Sequence, residues 1–74
     1  MKNRTASEVL ALVVDVDMLN SDLASPVEHR QFCKGYTLGM LVGLRTCGAI
    51  NYHEYDSARD LVQFLYHGMI ENWR

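Results

Sequence analysis

Apolar residues recur along most of this chain at intervals of three and four, the spacing that builds one face of a helix. Across residues 6–23, Val9, Leu12, Val13, Val16, Leu19 and Leu23 fall on one side of a helical wheel, and Glu8, Asp15 and Asp22 gather in a narrow polar strip. Leu10, Val14 and Met18 form a second apolar patch, so this helix carries more apolar surface than one packing face needs. The competing expectation is a strand over residues 12–19, where three valines are β-branched and Asp15 and Asp17 alternate with apolar neighbours. No other segment alternates with period two to pair with such a strand, so a helix is expected.

The boundaries are written in capping residues. Thr5 and Glu8 have the spacing of a capping box, which starts the first helix. Ser25, Pro26 and Glu28 supply a serine cap, a proline at the first helical position and a first-turn carboxylate for the second. That helix runs to Cys47, where Gly48 is placed to turn left-handed and Ile50 to supply the hydrophobic contact beyond. Asn51 and Glu54 repeat the cap-plus-glutamate spacing and open the third helix. Its apolar face holds Tyr55, Ala58, Leu61, Val62, Phe64, Leu65, Met69 and Trp73, opposite Asp56, Arg59, Asp60, Gln63, His67 and Glu71. The pattern predicts an all-α, three-helix bundle with helices at about 6–23, 26–47 and 52–72, in a single domain spanning residues 1–74.

Within the second helix, Gly35, Gly39 and Gly43 recur every four residues. Each costs a helix interior about 1 kcal/mol relative to alanine, so close packing against another helix is the expected compensation. The wheel assigns Phe32, Tyr36, Met40, Leu44 and Cys47 to the core, with the glycines on its flank and Leu38 and Val42 beyond them. That arrangement serves either a close crossing inside the chain, with Gly68 as one candidate partner, or a seam between two copies. The surplus apolar surface favours the second, a helical homodimer with an interface drawn from Gly35, Leu38, Gly39, Val42, Gly43, Leu10, Val14 and Met18.

Size and charge narrow the possibilities. A chain of 74 residues holds one small core, and such chains often depend on disulfides, metals or association. The hydrophobic fraction of 49% is that of a folding chain. A net charge of −2 gives no electrostatic reason to bind nucleic acid or an anionic membrane. Apolar runs such as residues 10–14 are far below the ~20 residues of a membrane span, and Glu8, Asp15 and Asp17 interrupt any signal-peptide core. A cytoplasmic protein is expected. On one helix Cys33 and Cys47 lie ~21 Å apart, beyond the reach of a disulfide, and are expected to be reduced and buried.

Candidate chemistry is sparse. His29 and Cys33 sit one turn apart, but a structural zinc site needs four ligands and no second close pair exists, so no metal is expected. No nucleophile and base show a diagnostic spacing among Asp15, Asp17, His53, Glu54, Asp56, Ser57, Asp60 and His67. No catalytic residue or cofactor is expected. Asp17 falls between Leu10 and Val13 on the wheel and needs a partner if buried. A helix–turn–helix outline around residues 47–51 raises a second possibility, a dimeric DNA-binding regulator contacting phosphates through Arg30, Lys34 and Arg45. Its recognition helix, however, opens on Glu54 and Asp56, which repel phosphate. The leading expectation is a non-enzymatic regulatory module that self-associates and binds another protein.

Overall fold

The computed structural model describes the backbone of residues 2–71 and the side chains of residues 2–66. It is all-helical over the described residues, with four helices: α1 (Ala6–Leu10), α2 (Val16–Leu23), α3 (Val27–Thr46) and α4 (Tyr52–Glu71). α4 packs against both α1 and α3, and α2 leans on α3.

The helix expected over residues 6–23 is two helices. Its first part is only the five residues Ala6–Leu10, opened by a capping box in which the Glu8 amide donates to the Thr5 hydroxyl at 3.2 Å and the Thr5 amide to Glu8 at 2.8 Å. Leu12 and Val13 then donate to carbonyls three residues back, and the chain opens at Asp15. The Asp15 carboxylate accepts from the Met18 amide at 2.8 Å and so becomes the cap of α2. The break redistributes the apolar residues. Val9, Leu10 and Val14 all reach the core, whereas Val16 is left 72% exposed, and α2 buries no residue fully. Asp17 sits exposed in the first turn of α2, where the helix dipole favours a carboxylate.

Ser25 does not cap α3. Its hydroxyl donates to the Ser21 carbonyl at 2.8 Å, closing the end of α2, while Pro26 precedes α3 with no side-chain cap. The far end of α3 follows expectation. Gly48 adopts a φ of 84°, its amide donates to the Arg45 carbonyl at 3.1 Å, and the Ala49 amide returns to Leu44 at 2.9 Å. Paired bonds of that kind satisfy the last carbonyls of a helix and need a residue free to turn left-handed. Ile50, just beyond, is buried.

α4 opens on the expected reciprocal cap, with the Glu54 amide donating to Asn51 Oδ1 at 2.8 Å and the Asn51 amide to Glu54 Oε1 at 3.0 Å. Glu54 also receives the Arg4 amide at 2.8 Å and the Arg4 guanidinium at 3.3 Å, which ties the start of the chain to the start of α4. The core comprises Val9, Leu10, Val14, Leu41, Ile50, Ala58, Val62 and Tyr66. Phe64, assigned to the apolar face of this helix, is 70% exposed, and Tyr66, not assigned to it, is 1% exposed. The side chains of His67, Met69, Glu71 and Trp73 lie outside the described residues, as does any contact to Gly68.

Candidate functional site

The orientation of α3 decides which of its residues are available. Its buried positions are Arg30, Thr37 and Leu41, with Cys33, Leu38 and Leu44 packed partly against the core. At about 100° per residue, Gly39 lies roughly 200° around the helix from Thr37, so the glycines are on the outward face. Phe32 and Tyr36 share that side and are 67% and 61% exposed. The core face expected from the wheel is therefore turned away: Phe32, Tyr36 and Cys47 are exposed, and only Met40 and Leu44 are half-buried.

Two polar residues cause the turn. The Arg30 guanidinium is buried and donates through Nη1 to the Leu23 carbonyl at 3.1 Å, at the end of α2. Thr37 is buried beside the Tyr66 phenol. A wheel that sends polar residues to solvent cannot anticipate either, because each is carried inward by a specific acceptor or neighbour.

No atom outside the local helix lies within 4 Å of the Cβ position at Gly35, Gly39 or Gly43. The stripe thus makes no close crossing within the described chain. Among the other residues expected at an interface, Met18 is 52% and Val42 38% exposed, and Leu38 is half-buried. Leu10 and Val14 are buried in the core, though Val14 still lines the groove beside the stripe. A groove beside the stripe, about 260 Å³ in volume, is walled by Met18, Phe32, Tyr36 and Met40, with Cys33, Thr37 and Asp22 at its base. His29, Phe32 and Tyr36 form a ladder along its rim, successive ring centroids being 6.3 Å apart.

The cations proposed for phosphate contact do not form one open face. Arg30 is buried, Arg45 stacks 4.5 Å over the Tyr55 ring, and Lys34 is half-buried. Arg59 pairs with Asp56 at 2.8 Å and Asp60 at 3.5 Å, and Asp56 accordingly holds its guanidinium above the usual pKa.

At the joint of α2 and α3 the fold adds a residue that spacing alone could not supply. Asp22 comes to His29 and Cys33, and one ligand atom from each of the three lies within 4.8 Å of the others. The Tyr66 hydroxyl donates to Asp22 Oδ2 at 3.1 Å, fixing the carboxylate. Burial, and then the Asp22 carboxylate hydrogen-bonded to it, push the Cys33 thiol above its ordinary pKa. Such a thiol is a poor nucleophile at neutral pH. Burial also raises the Tyr66 phenol, partly offset by the Thr37 hydroxyl. Glu54 is shifted the other way, held below the usual carboxylate range by the Asn51 amide and then the Arg4 amide. Both cysteines are free, and Cys47, expected to be buried, is exposed.

No described helix is long and apolar enough to cross a membrane. Neither the models of known protein families, nor curated proteins, nor solved structures gave a match to this chain.

Proposed function

We propose that this chain is a non-enzymatic interaction module that pairs with a second copy through the outward face of α3 and acts by binding another protein. The observation that carries the reading is the empty space over Gly35, Gly39 and Gly43. Three interior glycines reduce the stability of α3 by about 1 kcal/mol each, and the described chain draws no packing from them in return. A helix from a second copy would. With no Cβ atoms in the way, two α3 backbones can approach closely along the stripe, and a two-fold axis near Gly39 would set each stripe against the other.

Val42 and Leu38 lie on one flank of the stripe, and Phe32 and Tyr36 lie on the other. In a pairing of this kind their exposed rings would be buried across the seam, each large apolar side chain contributing roughly 1.5–3 kcal/mol when fully covered. Met18, on the far side of the groove, widens the patch. Val14 closes the floor of that groove, and Leu10 is buried in the core.

Size-exclusion chromatography with light scattering, from low to high micromolar concentration, tests the reading. The mass should rise from the 8.5 kDa of one chain toward twice that value. Gly39→Leu should hold the mass at one chain while leaving the helical circular dichroism intact, because its Cβ direction is open within the chain. A wild-type protein that remains one chain at high micromolar concentration rejects the pairing.

A further inference from the structure

We infer that the joint between α2 and α3 is a binding site for a zinc-class divalent cation, held by the Asp22 carboxylate, a ring nitrogen of His29 and the Cys33 sulfur. All three ligands come from one chain, so the site does not require the pairing of α3 helices, although it lies at the groove beside that surface. Its three ligands come from the last turn of α2 and the first two turns of α3, and their ligand atoms already lie within 4.8 Å of one another. Around a tetrahedral ion with bonds of about 2.0–2.3 Å, ligand atoms stand roughly 3.4–3.7 Å apart. Closing the cluster requires side-chain movements of about 1 Å, which His29, exposed at the rim, can supply by rotation.

The donor set selects the ion. One sulfur, one imidazole nitrogen and one carboxylate oxygen suit a borderline-soft first-row dication and disfavour calcium or magnesium, which take oxygen ligands. The charge also closes: a thiolate and a carboxylate neutralise a dication, with the imidazole neutral. Binding is an exchange in which the sulfur–metal bond forms as the thiol proton leaves to solvent. The adjacent Arg30 is directed to the Leu23 carbonyl. The Tyr66 hydroxyl on Asp22 Oδ2 orients the carboxylate, as hydrogen bonds behind a metal ligand commonly do. Three protein ligands leave a fourth position open to solvent.

The effect of the ion follows from where it sits. α2 buries no residue fully, and an ion bonded to Asp22 on one side and to His29 and Cys33 on the other would staple it to α3. Chains this short commonly gain stability from such a metal.

Cobalt(II) titration of the chelator-treated, reduced full chain tests the site. Wild type and Cys47→Ser should bind one ion per chain and develop a thiolate-to-cobalt charge-transfer band, which Cys33→Ser abolishes. His29→Gln and Asp22→Asn should each raise the cobalt Kd on the order of tenfold or more through loss of one ligand. His29 is exposed, so its replacement leaves the fold in place and keeps the test open if the other variants unfold. Zinc(II) should displace the cobalt and raise the Tm of wild type. The inference is overturned by a wild type with no charge-transfer band, by a band that survives in Cys33→Ser, by a Kd unchanged in His29→Gln, or by a Tm indifferent to bound zinc.

Discussion

Replacing Gly39 by alanine should move the protein in opposite directions depending on its concentration. At a dilution where the chain is single, the added methyl meets nothing within 4 Å, so no steric penalty offsets the gain in helix propensity. That gain is about 0.8–1.0 kcal/mol. For 74 residues the unfolding entropy is roughly 0.16 kcal/mol/K, so the Tm should rise by about 6 °C. The paired state should respond the other way. A methyl forced into a closely packed seam costs about 1–3 kcal/mol, and both copies carry one, so the dimer Kd should rise roughly tenfold or more. Thermal unfolding followed by circular dichroism at low micromolar concentration, with sedimentation velocity across the association range, reads both quantities on one sample. A fall in Tm at dilution would mean that Gly39 packs against something within the chain. An unchanged Kd would remove the stripe from the seam, however stable the variant became.

The remaining expectations concern single contacts. Leu41 is fully buried in the middle of α3, and Leu41→Ala should remove about 2–5 kcal/mol, enough to unfold much of a domain this small in a urea titration. Asp15→Ala should lower stability by about 1 kcal/mol in the same titration by uncapping α2; no effect would mean that the break between α1 and α2 does not depend on this cap. Phe32→Ser should leave the dilute protein within about 0.5 kcal/mol of wild type and weaken pairing in sedimentation, since the ring is 67% exposed in the single chain. Because Glu54 has its pKa lowered on folding, its contribution is present above the unfolded carboxylate value of about 4.3 and is lost as pH falls through the lower folded value. Glu54→Gln should therefore flatten the acid limb of the Tm-against-pH curve.

The parts of this fold that were legible in advance are those set by neighbouring residues. Thr5 with Glu8, Asn51 with Glu54, and Gly48 after Cys47 all act as their local chemistry indicates. The break at Asp15 was hidden because the apolar period runs straight through it, and a capping aspartate in mid-pattern looks the same as one on a polar strip. The rotation of α3 was hidden for a longer-range reason. Burying Arg30 and Thr37 is tolerable only where Leu23 and Tyr66 wait for them, and nothing in the sequence around residue 30 says that a carbonyl seven residues back will be in reach. The same limit applies to the site at the joint. His29 and Cys33 announce themselves by spacing, but Asp22 joins them only through the turn at residues 24–26.

The inverted orientation of α3 links the two proposals. A helix rotated to bury Phe32 and Tyr36 would gain roughly 1.5–3 kcal/mol for each ring fully covered, yet α3 leaves both exposed and buries a guanidinium and a hydroxyl. In the single chain the inner face holds α2 in place through the Arg30 bond to Leu23, the Tyr66 bond to Asp22 and the cysteine beside it. Rotating α3 to cover the aromatics would carry Arg30, Thr37 and Cys33 out to solvent and away from α2, breaking the Arg30 bond to Leu23 and separating Cys33 from Asp22. The polar joint thus fixes the side of α3 that faces the core and, with it, the side that displays glycines and aromatic rings. An ion that tightened the joint would hold the same orientation, so metal binding at the base of the groove should sharpen the pairing surface beside it.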